Sequence, residues 1–221
     1  MNKVPMALLL LLVLMGCVAT EKREHIEELP YRAWEIGLIA PNYMEVWVES
    51  VDVTDLYGRK YLRVHGGVSS VTNPPENRGD PTGWPARPGV GKTRPMTGLA
   101  LPKTVSVRWQ SLAEPQTYNA RIDIPEWARV EMLTGHEAYC RFDEKNITAY
   151  RYAITLGLAP GGIVKAWLTG ACLEPIEIGR FEGSINPEGP SRGQTNGRYA
   201  LPLDPAAQHY LETHEIPFGS W

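Results

Sequence analysis

The sequence predicts a mainly β protein, either a β-sandwich or strongly bent antiparallel sheets, with two short helices. Most apolar residues after residue 30 fall in short runs that are separated by turns rich in Gly, Pro and Asn. Residues 104–109 and 118–124 alternate apolar and polar positions, which is the period of a half-buried strand. Only two segments combine a helix start signal with an apolar face at helical spacing.

The chain begins with the pattern of a bacterial lipoprotein leader. Lys3 is followed by an unbroken apolar run over 7–15, which is too short to span a bilayer, since spanning takes about 20 apolar residues. The run has the length of the h-region of a secretory signal peptide. The small residue Gly16 follows it and precedes Cys17. Residues 14–17 resemble a lipobox, so residues 1–16 are predicted to be a signal peptide and Cys17 the lipidated residue.

Residues 17–30 are predicted to form the lipidated end and a polar tether, and residues 31–221 a single globular domain. Val18 after the cysteine resembles an outer-membrane rather than an inner-membrane sorting signal. The expected location is therefore the outer membrane, with the domain facing the periplasm of a Gram-negative bacterium.

Two further cysteines, Cys140 and Cys172, remain when Cys17 carries lipid. A disulfide is the preferred interpretation in an oxidising compartment and would contribute about 3 kcal/mol by the chain-entropy argument. A reactive thiol or a metal ligand is the alternative, but the sequence has no CxxC and no histidine cluster near either residue.

The predicted strands follow the chain in order. They cover 34–39, 44–53, 60–65, 104–109, 118–124, a hairpin formed by 149–158 and 162–168, and 176–185. The second of these loses its alternation at Ser50, which predicts a bulge or an edge strand. The predicted helices are 126–133, with Pro125 as the first helical residue, and 206–214, with Asp204 as the cap and Pro205 first.

Residues 72–98 are predicted to form one long loop, which contains six prolines, five glycines and a single tryptophan, Trp84. Loops of this length are uncommon in compact domains and are often functional. Trp, Tyr and Arg lead the hot spots of binding surfaces. The candidate partner-binding residues are therefore Arg78, Trp84, Arg87 and the C-terminal Trp221, and strand packing is the alternative role for the aromatic rings.

The sequence argues against several other functions. A formal net charge of −3 gives no electrostatic footprint for nucleic acid. Residues 86–93 satisfy a loose Walker A pattern, but no strand precedes them and Pro95 disfavours a helix after them, so no nucleotide is expected. The five histidines (His25, His65, His136, His209 and His214) show no metal-binding spacing, and no nucleophile elbow is present. Neither a metal nor a cofactor is expected, and no catalytic residue is assigned.

Several strings resemble the family of Gram-negative lipoproteins that is catalogued as domain of unknown function 2931. They are LMGC at 14–17, APNYMEVWVE at 40–49, NPPEN at 73–77 with GWP at 83–85, VRWQSL at 107–112 with EPQTY at 114–118, LGLAPGGIVK at 156–165 and IPFGSW at 216–221. The resemblance covers nearly the whole chain after the leader and implies no catalytic residues. It implies by genomic context an immunity role against lipase effectors of type VI secretion.

The sequence leaves three hypotheses for function. The first is a binding protein that captures an incoming toxic lipase, and the second is an envelope structural or assembly lipoprotein. The third is an unrecognised hydrolase, which convergence of His136, Glu137 and Asp143 in one pocket would support.

Overall fold

The computed structural model describes residues 28–72 and 74–221, and these residues form two β-sheets packed face to face. Cys17, the leader and the first part of the predicted tether lie outside the described residues. Leu29 already packs against the core, so the folded domain includes the residues just before residue 31.

The described part of the chain contains thirteen strands and two α-helices. The strands are β1 (Trp34–Ile39), β2 (Val46–Asp55), β3 (Lys60–His65), β4 (Val68–Ser70), β5 (Lys92–Met96), β6 (Pro102–Ser111), β7 (Gln116–Asp123), β8 (His136–Cys140), β9 (Lys145–Ala149), β10 (Ala153–Ala159), β11 (Ile163–Thr169), β12 (Ile176–Glu182) and β13 (Ser184–Ile185). The helices are α1 (Glu126–Leu133) and α2 (Pro205–Leu211). The prediction of a mainly β fold with two short helices is confirmed.

Sheet one has the order β12-β11-β10-β1-β5, and sheet two has the order β13-β7-β6-β2-β3 with β4 also paired to β2. The apolar faces of both sheets meet in one core, which includes Trp34, Leu156 and Val164 from sheet one and Val51 and Trp109 from sheet two. Burial of these aliphatic and aromatic side chains is the main favourable contribution to folding. The β8–β9 hairpin stands outside both sheets as a separate pair.

One strand pair departs from the expected antiparallel pattern. β1 and β10 lie parallel, with Glu35 opposite Ala153 and Ile39 opposite Gly157. Parallel neighbours need a long connection, and here β2, β3, β4, β6 and β7 of sheet two all lie between them in the chain.

Predictions that depend on a few neighbouring residues mostly agree with the structure. The register of β2 against β6 shifts between Val48 and Ser50, so the bulge predicted at Ser50 is present. The Asp204 carboxylate accepts the N–H groups of Ala206 and Ala207 and caps α2, as predicted. Pro125 is the N-cap of α1 rather than its first helical residue.

Three predicted segments differ from the structure. Residues 92–96 leave the predicted loop and pair antiparallel with β1 as an edge strand, a position that tolerates Pro95. The predicted strand 149–158 begins only at Ala153 in the structure, and residue 149 instead ends β9, which pairs with β8 in a hairpin that the sequence did not predict. The predicted strand 176–185 crosses from sheet one to sheet two at Gly183, where an added Cβ would lie 2.9 Å from the carbonyl oxygen of Asn119.

The two ends of the sandwich differ in what they carry. At one end, called here the N-terminal pole, the ring of Tyr31 contacts the rings of Tyr150 and Tyr152 beside the starts of β1 and β10. β11 ends beside the start of β10, so the turn after β11 also lies at this pole. Cys172 lies in that turn and forms a disulfide with Cys140.

The other end, called here the C-terminal pole, holds the ends of β1 and β10 together with α2 and the last residues of the chain. A second small apolar cluster forms there, and its buried members are Tyr43, Met44, Ala159, Ile163, Ala207 and Trp221. Because β1 runs from one pole to the other over six residues, the poles are separated by about 20 Å along that strand.

Candidate functional site

The loop that begins at residue 72 forms a cavity at the C-terminal pole. The cavity has a volume of about 480 Å³ and lies where β1 ends, between the 39–42 segment and loop residues 80–91. Pro41, Trp84 and Pro85 supply apolar walls, while Asp80 and Thr82 supply polar ones. A cavity with mostly apolar walls and a few polar groups is the usual form of a binding site.

Trp84 fixes the loop to the outer face of sheet one. Its ring meets the ring of Trp167 edge-on, with the centroids 5.3 Å apart. It also lies over Gly157, where an added Cβ would come within 2.6 Å of the indole, so only glycine leaves room for this contact. The indole nitrogen of Trp84 is buried without a hydrogen-bond partner in the described part of the chain, so packing alone holds the ring.

The C-terminal tail holds the loop from the other side. The indole of Trp221 donates to the carbonyl oxygen of Pro81 at 2.8 Å, and the Ser220 hydroxyl accepts the Gly83 N–H at 3.3 Å. Arg180 of β12 donates from Nε to the carbonyl oxygen of Trp221 at 2.7 Å. Loop residues 80–91 and tail residues 218–221 therefore form one continuous surface, called here the loop–tail surface, although Trp221 lies 140 residues after Pro81.

A column of stacked rings supports this surface. The ring of Tyr43 stacks on that of Tyr210 of α2 at 4.7 Å, and Tyr210 stacks on His214 at 4.3 Å. The Gly79 N–H donates to the Tyr43 hydroxyl at 2.8 Å, which connects the column to the loop. Burial raises the pKa of Tyr210, and the nearby Asp80 carboxylate raises it further.

Asp80 supplies negative charge at the cavity. Its carboxylate accepts from the Thr82 hydroxyl at 2.7 Å and the Thr82 N–H at 2.8 Å. These two hydrogen bonds hold the pKa of Asp80 below its usual value, so the group is ionised at neutral pH. An ionised carboxylate beside aromatic and proline rings suits a basic or aromatic side chain from a partner.

The sequence model of the family described as "Protein of unknown function (DUF2931)" matches residues 19–219. The chain belongs to this family. No curated protein and no solved structure matches the chain. The family description assigns no activity, so the site of this DUF2931 protein is described from its own geometry.

The structure separates the four candidate partner-binding residues. Trp84 and Trp221 lie on the two sides of the loop–tail surface, but Trp221 is only 5% exposed and its ring packs inside. Arg78 is exposed at the edge of the loop and pairs with Glu76 at 3.4 Å. Arg87 points to the turn after β11, where it pairs with Glu174.

Sequence reasoning missed the residues that complete this surface. Asn42 donates from its amide to the carbonyl oxygen of Asp80 at 3.0 Å, and Tyr43 anchors Gly79. Tyr210 reaches the loop from the far end of the chain. In the sequence, each of these is an ordinary polar or aromatic residue in a turn or a helix. Only contacts between distant segments of the chain bring them together.

The three residues of the hydrolase hypothesis do not converge. The His136 ring bonds to the Glu131 carboxylate at 2.6 Å, and Glu131 also accepts from Arg151 at 2.6 Å. Glu137 follows His136 on β8 and therefore points to the opposite face, where it accepts from the Thr148 hydroxyl. Asp143 lies in the exposed turn 141–144. His136, Glu137 and Asp143 therefore share no pocket, and the convergence that would have supported a hydrolase is missing from these residues.

The described residues also bear on metal binding and membrane spanning. Within 28–72 and 74–221, His, Cys, Asp and Glu side chains form no group of three or more that could hold a metal ion. Neither helix of this part of the chain is long and apolar enough to cross a membrane.

A second depression lies on the outer face of sheet two, under the segment 186–200. It has a volume of about 390 Å³, and its walls carry charges of both signs, including Asp52, Arg108, Arg121 and Arg192. Arg108 donates to the Asn119 amide oxygen at 3.1 Å and lies 3.9 Å from the Glu49 carboxylate. These contacts join β6 to its two neighbours, β7 and β2.

Proposed function

We propose that this protein is a membrane-anchored periplasmic lipoprotein that binds a protein partner through the loop–tail surface at its C-terminal pole. The observation that carries the proposal is the position of that surface, at the opposite end of the sandwich from the point where the chain enters the domain. A lipid on Cys17 would hold the N-terminal pole toward the outer membrane and leave the C-terminal pole facing the periplasm.

The surface has the properties of a preformed binding site. The Trp221–Pro81 and Gly79–Tyr43 hydrogen bonds tie the loop to a folded pole, which lowers the entropy lost on binding. Phe218 is 58% exposed next to Gly161 on the same pole, and it supplies an apolar contact outside the cavity. A pocket with a charged group and a neighbouring exposed aromatic ring is typical of binding hot spots.

The partner we propose is a lipase effector of type VI secretion, which the protein would neutralise as an immunity protein. The family resemblance supports this choice. A lipid anchor would also place the protein at the bilayer that such an enzyme attacks. In this role the protein needs no catalytic group of its own, because occlusion of the lipase active site is enough.

A charge reversal at the cavity tests the proposal. Asp80→Lys should abolish protection of a strain that lacks the chromosomal gene when it is challenged by a secretor of the cognate lipase. Asp80→Asn should weaken protection, since it keeps an oxygen acceptor for Thr82 but removes the charge. Glu188→Lys makes the same charge change at an exposed residue elsewhere and should protect as well as the wild type.

Full protection by Asp80→Lys would contradict the proposal that the partner binds at the loop–tail surface. If a strain that lacks the gene and its neighbours survives the challenge as well as the wild type, the immunity role itself is wrong. A crosslinked envelope complex that contains no effector would favour the alternative, an envelope structural or assembly lipoprotein. Cys17→Ala should release the protein from the membrane fraction, which tests the anchor separately.

A further inference from the structure

Large exposed apolar side chains gather at the N-terminal pole. Phe142 is the most exposed of them at 95%, and it lies in the turn of the β8–β9 hairpin. Its neighbour Tyr139 is exposed on β8, and Trp127 and Val130 are exposed on α1. Leu56 and Tyr57, in the turn after β2, are exposed as well.

Covalent and packing contacts place the hairpin at this pole. Cys140 is bonded to Cys172 with the Cα atoms 5.0 Å apart, and Phe142 follows Cys140 by two residues. At its base the hairpin leads directly into Tyr150, whose ring lies 5.8 Å from that of Tyr31. Tyr31 is three residues beyond Glu28, the first residue that the structure describes.

Helix α1 is attached to the same pole. Its Glu131 carboxylate bonds to His136 at the start of β8 and to Arg151 just before β10. Trp127 and Val130 lie on the same helix and are three residues apart, so they lie on one exposed face. The exposed apolar residues therefore belong to segments that converge where the chain enters the domain.

The reach of the anchor brings this pole to the membrane. Glu28 lies eleven positions after Cys17, and even a fully extended chain of that length spans at most about 40 Å. This step rests on the proposed lipidation of Cys17. A tethered surface has a high local concentration at the bilayer, so a small apolar area is enough to hold it there.

The residue types at this pole suit a bilayer interface. Trp and Tyr are enriched where hydrocarbon meets headgroups, and Phe142 has no apolar neighbour to cover it in the hairpin turn. The turn contains Arg141, Asp143 and Glu144, and Lys145 begins β9, so the local charges balance. Contact with the bilayer would therefore depend on apolar insertion and change little with salt.

We propose that the N-terminal pole is a membrane-contacting surface, with Phe142 of the β8–β9 turn inserted into the interfacial region of the phospholipid bilayer. Trp127 and Tyr139 lie at the headgroups beside it. The contact sets the orientation of the domain, so that the loop–tail surface points away from the membrane.

The test uses lipidated full-length protein in vesicles of phosphatidylethanolamine and phosphatidylglycerol, with and without brominated acyl chains. Phe142→Trp and Phe218→Trp each add one indole, at opposite poles. The emission that Phe142→Trp adds should be quenched by the brominated lipid, in low and in high salt. The emission that Phe218→Trp adds should not be quenched, and urea unfolding of both variants should match the wild type.

Two outcomes separate this inference from the proposed anchor. If the protein fails to float with the vesicles, the anchor fails and this inference fails with it. If the protein floats and the added emission of Phe142→Trp is quenched no more than that of Phe218→Trp, the membrane-contacting surface is wrong while the anchor stands.

Discussion

The Glu49 carboxylate accepts the backbone N–H of Ser191 at 2.6 Å, across 142 residues of sequence. It also accepts from the Gln110 amide at 2.9 Å, and its side chain is only 8% exposed. Gln110 in turn accepts the Ala200 N–H at 2.8 Å. One buried carboxylate on β2 thus fixes the segment 186–200 over the outer face of sheet two.

Replacing Glu49 should destabilise the protein by an amount that depends on the acceptor left behind. Glu49→Ala leaves the Ser191 N–H and the buried Gln110 amide without this partner and should cost roughly 2–3 kcal/mol. Glu49→Gln keeps one acceptor oxygen and should cost about 1 kcal/mol. Urea unfolding measures both, and a value for Glu49→Ala within about 0.5 kcal/mol of the wild type would contradict the assignment.

Removing the ring of Trp221 should destabilise the C-terminal pole. Trp221→Ala empties a buried site and should cost about 3–5 kcal/mol. Trp221→Phe keeps most of the packing, removes the hydrogen bond to Pro81 and should cost about 1–2 kcal/mol. Phe218→Ala, three residues earlier and exposed, is the matched control and should change stability by less than about 0.5 kcal/mol.

The Trp221 contact shows where prediction from the sequence ends. The boundaries of β1, the bulge at Ser50 and the Asp204 cap were predicted because each depends on a few neighbouring residues. Burial of Trp221, in contrast, depends on where the loop carries Pro81. An exposed C-terminal tail and a buried one have the same local sequence pattern. The residues next to Trp221 therefore do not indicate whether its ring is exposed to a partner or buried.

The same limit applies to the sheets. Each hairpin strand pairs with its neighbour in the sequence, but the parallel β1–β10 pair joins segments that are more than a hundred residues apart. The edge strand β5 lacks alternation and contains Pro95, so its pairing with β1 depends on the position of that edge rather than on its own residues.

The Cys140–Cys172 bond should stabilise the domain by joining the β8–β9 hairpin to the turn after β11. Cys140→Ser with Cys172→Ser should lower the free energy of unfolding by about 2–4 kcal/mol. In the unfolded wild type, neither residue should react with a thiol reagent until a reductant is added. Labelling of either cysteine without reductant would favour the alternative role as a reactive thiol.

His65 should make the stability of the protein depend on pH in the weakly acidic range. It lies on β3 of sheet two, where Nδ1 accepts the Gly66 N–H at 2.9 Å. Nε2 therefore carries the proton and donates to the carbonyl oxygen of Lys92 on β5 of sheet one, at 3.0 Å. A second proton on Nδ1 would break the bond to Gly66.

Burial lowers the pKa of His65 below its ordinary value of 6.5, and the nearby Arg94 lowers it further, against the opposing effect of the Lys92 carbonyl. Well above pH 6.5 the ring is neutral in both states and adds no pH dependence. Below it, the unfolded chain binds a proton that the folded chain does not. The free energy of unfolding should then fall with falling pH, by at most about 1.4 kcal/mol per pH unit, until the folded pKa is passed.

His65→Gln should flatten this slope between roughly pH 6.5 and 5, as measured by urea unfolding at each pH. His209→Gln removes a histidine whose side chain is exposed on α2 and is the matched control. Because carboxylates that are common to all three proteins also begin to titrate near pH 5, the difference between the two variants isolates His65. Equal slopes in His65→Gln and His209→Gln would contradict a buried neutral imidazole at the contact between the two sheets.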